Sequence, residues 1–152
     1  MIDCKDFTFI LSSRNDGYSC QNKDWQAEQI KKIENCIYSS EKTFPNRKFI
    51  LVDYNPSEKN KKLSELFCHY KNIKIITLNK KLQEDLNNDN HENKISFYEF
   101  VAKHLGSLYC ETDNIIFINQ DIVFPLAGRE NLVNSIRSGE VNVSFRCTID
   151  YN

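Results

Sequence analysis

The sequence predicts a single α/β domain built on a mostly parallel sheet with helices on both faces. Three observations lead there. Short, almost continuously apolar runs recur along the chain, as strands buried on both faces require. Segments with helical spacing of apolar residues separate those runs, and alternating strands and helices give parallel crossovers. The chain has 152 residues, close to the commonest domain size of about 100–150, so residues 1–152 are read as one domain.

The elements follow in order. Phe7-Thr8-Phe9-Ile10-Leu11 is rich in strand formers and ends in the polar, turn-like Ser12-Ser13-Arg14-Asn15-Asp16-Gly17. Asp24 to about Lys42 reads as a helix, with Ile30, Ile33 and Ile37 at helical spacing and Pro45-Asn46 as the break. Lys48-Phe49-Ile50-Leu51-Val52-Asp53 is a second buried strand. Ser57 is a candidate N-cap for a helix through Leu63, Leu66 and Phe67. Ile73 to Leu78 is a third strand, and the polar stretch Asn79 to Lys94 reads as a loop. A helix capped by Ser96, with Glu99 three residues on, carries the stripe Phe97, Phe100, Val101, His104, Leu105 and Leu108. Ile115-Ile116-Phe117-Ile118 is a fourth strand that ends at Asn119-Gln120-Asp121. A helix from Glu130 to about Arg137 and a final strand, Val141 to Phe145, complete the reading.

Composition excludes several classes of function. Lys+Arg 20 against Asp+Glu 21 leaves a formal net charge of -1, so no basic excess exists to neutralise a nucleic-acid backbone. No apolar run is long enough for a membrane span. The mixed-charge start, Met1 to Asp6, lacks the basic and apolar regions of a signal peptide. The six cysteines include no C-x-x-C pair, so zinc-ribbon spacing is absent. Without an export signal they are expected as free thiols in a reducing, cytoplasmic compartment. The sequon at Asn142-Val143-Ser144 then carries no meaning.

In parallel α/β sheets, ligands bind outside the carboxyl ends of the strands. Three such ends here are polar: Arg14-Asn15-Asp16, Asp53 and Asn119-Gln120-Asp121. If the strands are parallel, these groups share one edge. Glycine-rich phosphate cradles, G-x-x-x-x-G-K-[ST] or G-x-G-x-x-G, are absent from the sequence. A diphosphate would therefore need another source of positive charge. A divalent cation on a carboxylate supplies it, because the metal bridges phosphate oxygens directly, and Asp121 suits that role.

The order of these segments resembles the nucleotide-binding half of a GT-A glycosyltransferase of the family-2-like kind. The matching pieces are Ile10 to Asp16, Phe49-Ile50-Leu51-Val52-Asp53, the helix segment Phe100-Val101-Ala102-Lys103-His104-Leu105-Gly106, and the D-x-D-like Asn119-Gln120-Asp121. They span about residues 7–147, and their order and spacing carry the likeness. The resemblance implies a Rossmann-like GT-A three-layer sandwich. It implies transfer of a sugar from a nucleotide-diphosphate-sugar donor to a glycan, protein or lipid acceptor, with Mn²⁺ or Mg²⁺.

On this resemblance Asp53 accepts a hydrogen bond from the donor base, and Ser12, Arg14, Asn15 and Asp16 line the same pocket. Asp121 holds the metal. Asn119 stands where the first acid of the motif often stands, with Gln120 beside it, and Lys103 and His104 face the diphosphate or sugar. In such enzymes the acceptor site and catalytic base lie beyond the point where this chain stops. The likeness is thus to a short or truncated member, and it assigns no catalytic base. A chain of this length could complete its acceptor side by pairing with a second copy.

Plainer roles stand beside these. Asp53 could cap the turn that follows it, and Asp16-Gly17 and Asp121 could be ordinary loop residues. His104, on the apolar stripe, could be a core histidine, and Lys103 with Glu99 an exposed i,i+4 pair. Phe97 and Phe100 are read as core, and His69 and His91 receive no role. Two rival functions remain. One is a non-catalytic nucleotide-sugar or protein-binding module derived from a transferase. The other is a receiver- or flavodoxin-like signalling domain, which should carry an acidic pair after its first strand.

Overall fold

The computed structural model describes residues 7–15, 25–54, 58–89 and 97–138. Its elements are β1 (Phe7–Ser13), α1 (Trp25–Thr43), β2 (Lys48–Tyr54), α2 (Leu63–Leu66), β3 (Ile73–Leu78), α3 (Lys80–Asp89), α4 (Glu99–Ser107), β4 (Asn114–Ile118) and α5 (Arg129–Ser138). A 3₁₀ turn, Leu126–Gly128, precedes α5. The four described strands form one sheet of order β3-β2-β1-β4, and every pairing is parallel. Register sets Ser13 beside Asp53 and Leu11 beside Ile118.

Alternate residues of each strand feed two separate cores, as the two-residue period of a strand requires. Phe7, Phe9, Leu11, Phe49 and Leu51 pack under α1, α2 and α5, against Ile33, Ile37, Leu63 and Val133. Aromatic rings dominate this layer, with Phe9 stacked on Phe49 at 4.9 Å and edge-on to Phe7 at 5.2 Å. Ile10, Ile50, Val52 and Tyr54 face the other way, toward Ala102 of α4 and Leu82 of α3. The three-layer α/β sandwich is therefore present. Its strand order also decides against the flavodoxin-like rival, whose third strand lies beside the first rather than beyond the second.

Several elements differ from expectation. The stretch read as a loop from Asn79 contains α3. Leu82 and Leu86 lie four apart, Lys80 pairs with Glu84 at 3.1 Å, and the Asn79 Oδ1 accepts from the Leu82 N–H at 3.4 Å. The Tyr54 hydroxyl anchors this helix by donating to the buried Gln83 Oε1 at 2.5 Å. The α2 helix is a single turn. Ser57 and Ser96 lie outside the described residues, as do Asp16 and the expected final strand Val141–Phe145. The helix break falls where it was read, at Asn46, which adopts a left-handed φ of 62° that Asn tolerates better than most residues.

The buried face of α4 is rotated from the expected stripe. Ala102, Lys103 and Gly106 are buried, whereas Phe100 is 87% exposed and Leu108 67%. The reason is close packing through small residues. A Cβ on Gly106 would stand 2.8 Å from Val52 Cγ2 and 3.1 Å from Ile10 Cγ2. The helix backbone thus lies directly on the sheet, and the larger side chains turn outward. The reading of Phe100 as core is corrected; Phe97 is half-buried against Tyr54 at 5.1 Å. Three described cysteines, Cys36, Cys68 and Cys110, are free.

Candidate functional site

After β3 the chain returns to pair β4 with the opposite side of β1. That reversal makes the β1/β4 boundary the switch point of the sheet, where diverging connections leave a crevice at the strand ends. A cleft of about 250 Å³ lies there. Ser12, Ser13 and Arg14 come from the end of β1, and Gln29 and Lys32 from α1. Phe97 and Glu99 come from the start of α4, and Asn119, Gln120 and Asp121 from the turn after β4.

Hydrogen bonds hold this turn from both sides of the sheet. On the α1 side, Gln29 Nε2 donates to Ser13 Oγ at 3.0 Å and also to the Arg14 carbonyl. Ser13 Oγ donates onward to Gln120 Oε1 at 2.7 Å. On the α4 side, the buried Lys103 Nζ lies 2.5 Å from both Asn119 Oδ1 and Glu99 Oε1. The Lys103–Glu99 pair is therefore a buried cation with a half-buried partner, not the exposed surface pair that i,i+4 spacing suggests. Lys32 is ion-paired with Glu28 at 2.7 Å.

A second polar group lies along the same rim. Asp53 is fully buried. Its Oδ2 accepts from the Leu63 N–H at 2.9 Å, which ties the end of β2 to the start of α2. Its Oδ1 has no partner among the described residues, and the same holds for Asn15 Oδ1 and Ser12 Oγ, both on buried residues. Burial pushes the Asp53 carboxyl up to about 6, and the Leu63 N–H and the Lys62 charge oppose that shift. Asn15 donates to the Lys61 carbonyl, and its own carbonyl accepts from Asn60 Nδ2 at 2.8 Å.

Ser12, Arg14, Asn119, Gln120 and Asp121 thus line one cleft. Lys103 reaches it through Asn119, while Asn15 and Asp53 sit together farther along the rim. His104 does not join them. It is exposed, and its carbonyl accepts from Ser107 Oγ at 2.6 Å. Neighbouring residues on a helix point about 100° apart, and Lys103 holds the inward position. The core reading of His104 is corrected. Asp16 lies outside the described residues. Gln29 and Lys32 escaped the sequence reading, and Glu99 was read there only as a capping residue and as the partner of Lys103. Gln29 carried the one usable signal, a polar residue one turn before Ile33 on the buried face of α1.

Among the described residues, no group of three or more His, Cys, Asp or Glu gathers to hold a metal ion. The exposed Asp121 and the Lys103-paired Glu99 are the carboxylates that line the cleft. One carboxylate with neighbouring amides suits a hard cation only when a ligand brings further oxygens. Magnesium bound with substrate phosphates has that character.

Strand order, helices on both faces and a polar cleft at the switch point define a Rossmann-like α/β domain. Two solved structures share it. S. aureus TarS residues 1–349 superposes with a TM-score of 0.55 at 15% identity, over 88% of this chain and 32% of that one. A second S. aureus TarS structure gives 0.54 at 15% identity, over 88% of this chain and 20% of that one. The chain thus spans about a third and a fifth of those proteins. No family model and no curated protein matches it. No helix among the described residues is long and apolar enough to cross a membrane.

Proposed function

We propose that this chain is a single GT-A-like domain, residues 1–152, of a glycosyltransferase that binds a nucleotide-diphosphate-sugar donor. The observation that supports this best is the switch-point cleft with the Asn119-Gln120-Asp121 turn at its mouth. Asp53, Asn15 and Ser12 offer buried acceptor oxygens to the hydrogen-bond donors of a base. A divalent cation, Mn²⁺ or Mg²⁺, fits at Asp121 once the donor supplies phosphate oxygens, and would stabilise the departing diphosphate as a Lewis acid. Lys103, held by Glu99, adds fixed positive charge behind Asn119. Arg14 lies on the same wall. The acceptor class stays open between glycan, protein and lipid. The free thiols of Cys36, Cys68 and Cys110 accord with a reducing, cytoplasmic compartment.

The second reading is a non-catalytic nucleotide-sugar-binding module. It is favoured by the amide of Asn119 at the first position of the motif and by the ion pair that engages Glu99. Donor turnover with Mn²⁺ separates the two readings. The test of donor binding is thermal unfolding with nucleoside diphosphates and their sugars, with and without Mn²⁺. A ligand at one hundred times its Kd stabilises by about 2.7 kcal/mol. For a chain of this size that is a rise of roughly 5–10 °C. The rise should need the metal and should shrink in Asp121→Ala. No rise with any donor, or an equal rise in the variant, would refute the proposal.

A further inference from the structure

We propose that Gln29 is a positioning residue of the donor cleft, acting through Ser13 on the turn that carries Asp121. The inference rests on the donor-binding reading above and adds to it a part of the site that lies on α1. Gln29 is only 1% exposed and shares the buried face of α1 with Ile33, Cys36 and Ile37. An amide among apolar neighbours is unfavourable unless its polar atoms are met. Its Nε2 donates to two groups at the end of β1, Ser13 Oγ at 3.0 Å and the Arg14 carbonyl, while its Oε1 has no partner among the described residues. A serine hydroxyl accepts and donates at once, so the Ser13 Oγ–H passes to Gln120 Oε1 at 2.7 Å.

The chain of bonds therefore runs from a helix, across the last residue of the central strand, to the middle of the motif. Its consequence is a change of role for Gln120. That side-chain oxygen is turned inward onto Ser13 instead of toward a donor. The turn is further closed by the Ile122 N–H on the Asn119 carbonyl at 3.1 Å and by the Cys36 thiol on the same carbonyl at 3.5 Å. Gln29 thus fixes the rotation of residues 119–121 and leaves Asp121 at the cleft mouth. Gln29→Met keeps the length of the side chain and removes its donors.

Amide hydrogen exchange of Ile122 in the ligand-free chain tests this directly. Loss of one buried link should speed Ile122 exchange by about fivefold to tenfold in Gln29→Met, with Ile10 and Leu11 unchanged. Gln120→Met should match it, and the double variant should exchange no faster than either single one. Gln120→Glu keeps an acceptor oxygen for Ser13 and should restore slow exchange. If Gln29→Met does not fold, Ser13→Ala interrupts the same relay. Unchanged Ile122 exchange, multiplied effects in the double variant, or no rescue by Glu would overturn the proposal. The affinity of the variants is then measured with Mn²⁺ and whichever of ADP, GDP, CDP or UDP most raises the wild-type melting temperature. It should fall about fivefold to tenfold, and faster exchange without that fall also overturns the positioning role. Absence of binding by the wild-type chain to all four diphosphates would instead overturn the donor reading itself.

Discussion

Replacing Asp53 by Asn should make the protein more stable at pH 8 and leave it nearly unchanged at pH 4. The carboxyl is fully buried, with one oxygen on the Leu63 N–H at 2.9 Å and the other without a partner among the described residues. Burial raises its pKa from 3.8 to about 6. A carboxyl whose folded pKa is raised contributes stability that is fully present below the unfolded value. That stability is lost as pH rises through the folded value, because only the unfolded chain gives up the proton easily. The window is therefore pH 3.8 to about 6. A shift of about two units corresponds to roughly 3 kcal/mol, an upper bound for the gain on neutralising the side chain. Asn retains an oxygen for the Leu63 N–H and carries no charge. Urea unfolding followed by circular dichroism, at intervals from pH 4 to 8, reads the difference between the two proteins. It should grow in favour of Asn as pH rises and level off above about 7. A difference that stays flat across that range, or an Asn variant equally weakened throughout, would refute the argument from burial.

Other perturbations test separate links. Affinity for the bound nucleoside diphosphate should fall as pH drops below about 6, by up to about tenfold per unit, because protonated Asp53 loses acceptor strength; calorimetric titration at pH 5, 6 and 7.5 checks this, and a flat profile removes Asp53 from base recognition. Gly106→Ala should destabilise by about 1–3 kcal/mol, since its Cβ would meet Val52 at 2.8 Å, whereas Phe100→Ser, on an 87% exposed residue, should stay within about 0.5 kcal/mol; denaturant midpoints compare them. The Cys36 thiol is pushed up to about 12, chiefly by burial, against a hydrogen bond from Ser40 and with help from the Asp121 charge. At pH 8 iodoacetamide should therefore alkylate the exposed Cys68 and spare Cys36 in the native protein, as peptide mass mapping would show.

What could be read from the residues follows the physics of burial. Strands covered on both faces must be apolar throughout, so Phe9-Ile10-Leu11 and Ile50-Leu51-Val52 announced themselves. The polar residues that follow such runs, Asp53 and Asn119 to Asp121, then had to lie at strand ends. Helix α3 was hidden because two leucines, Leu82 and Leu86, supply its sparse apolar face and a long-range bond from Tyr54 does the rest. The orientation of α4 was hidden for the opposite reason. Its contact with the sheet is made by Ala102 and Gly106, whose small side chains give no hydrophobic signal, while Phe100 gives a strong one and points outward. Lys103 and His104 could not be told apart without that rotation.

Strand order was not legible either, and it decides the chemistry available at the rim. Because β4 lies against β1, the crevice opens between Ser13 and Gln120, one strand away from Asp53. The two acids are therefore not interchangeable. Asp53 is buried and already bound to a backbone N–H, so its remaining oxygen suits a neutral hydrogen-bond donor; a hydrated cation would have to shed its water to reach it. Asp121 is exposed at the mouth, where a cation can keep part of its hydration and still bridge to phosphate. On the α4 side, Lys103 holds the amide of Asn119 at 2.5 Å, two residues before Asp121 in the chain. The rim thus offers a buried acceptor at Asp53, a fixed cation at Lys103 and an exposed carboxylate at Asp121. On the proposed donor reading, a base would meet the first of these and a phosphate-bound cation the last.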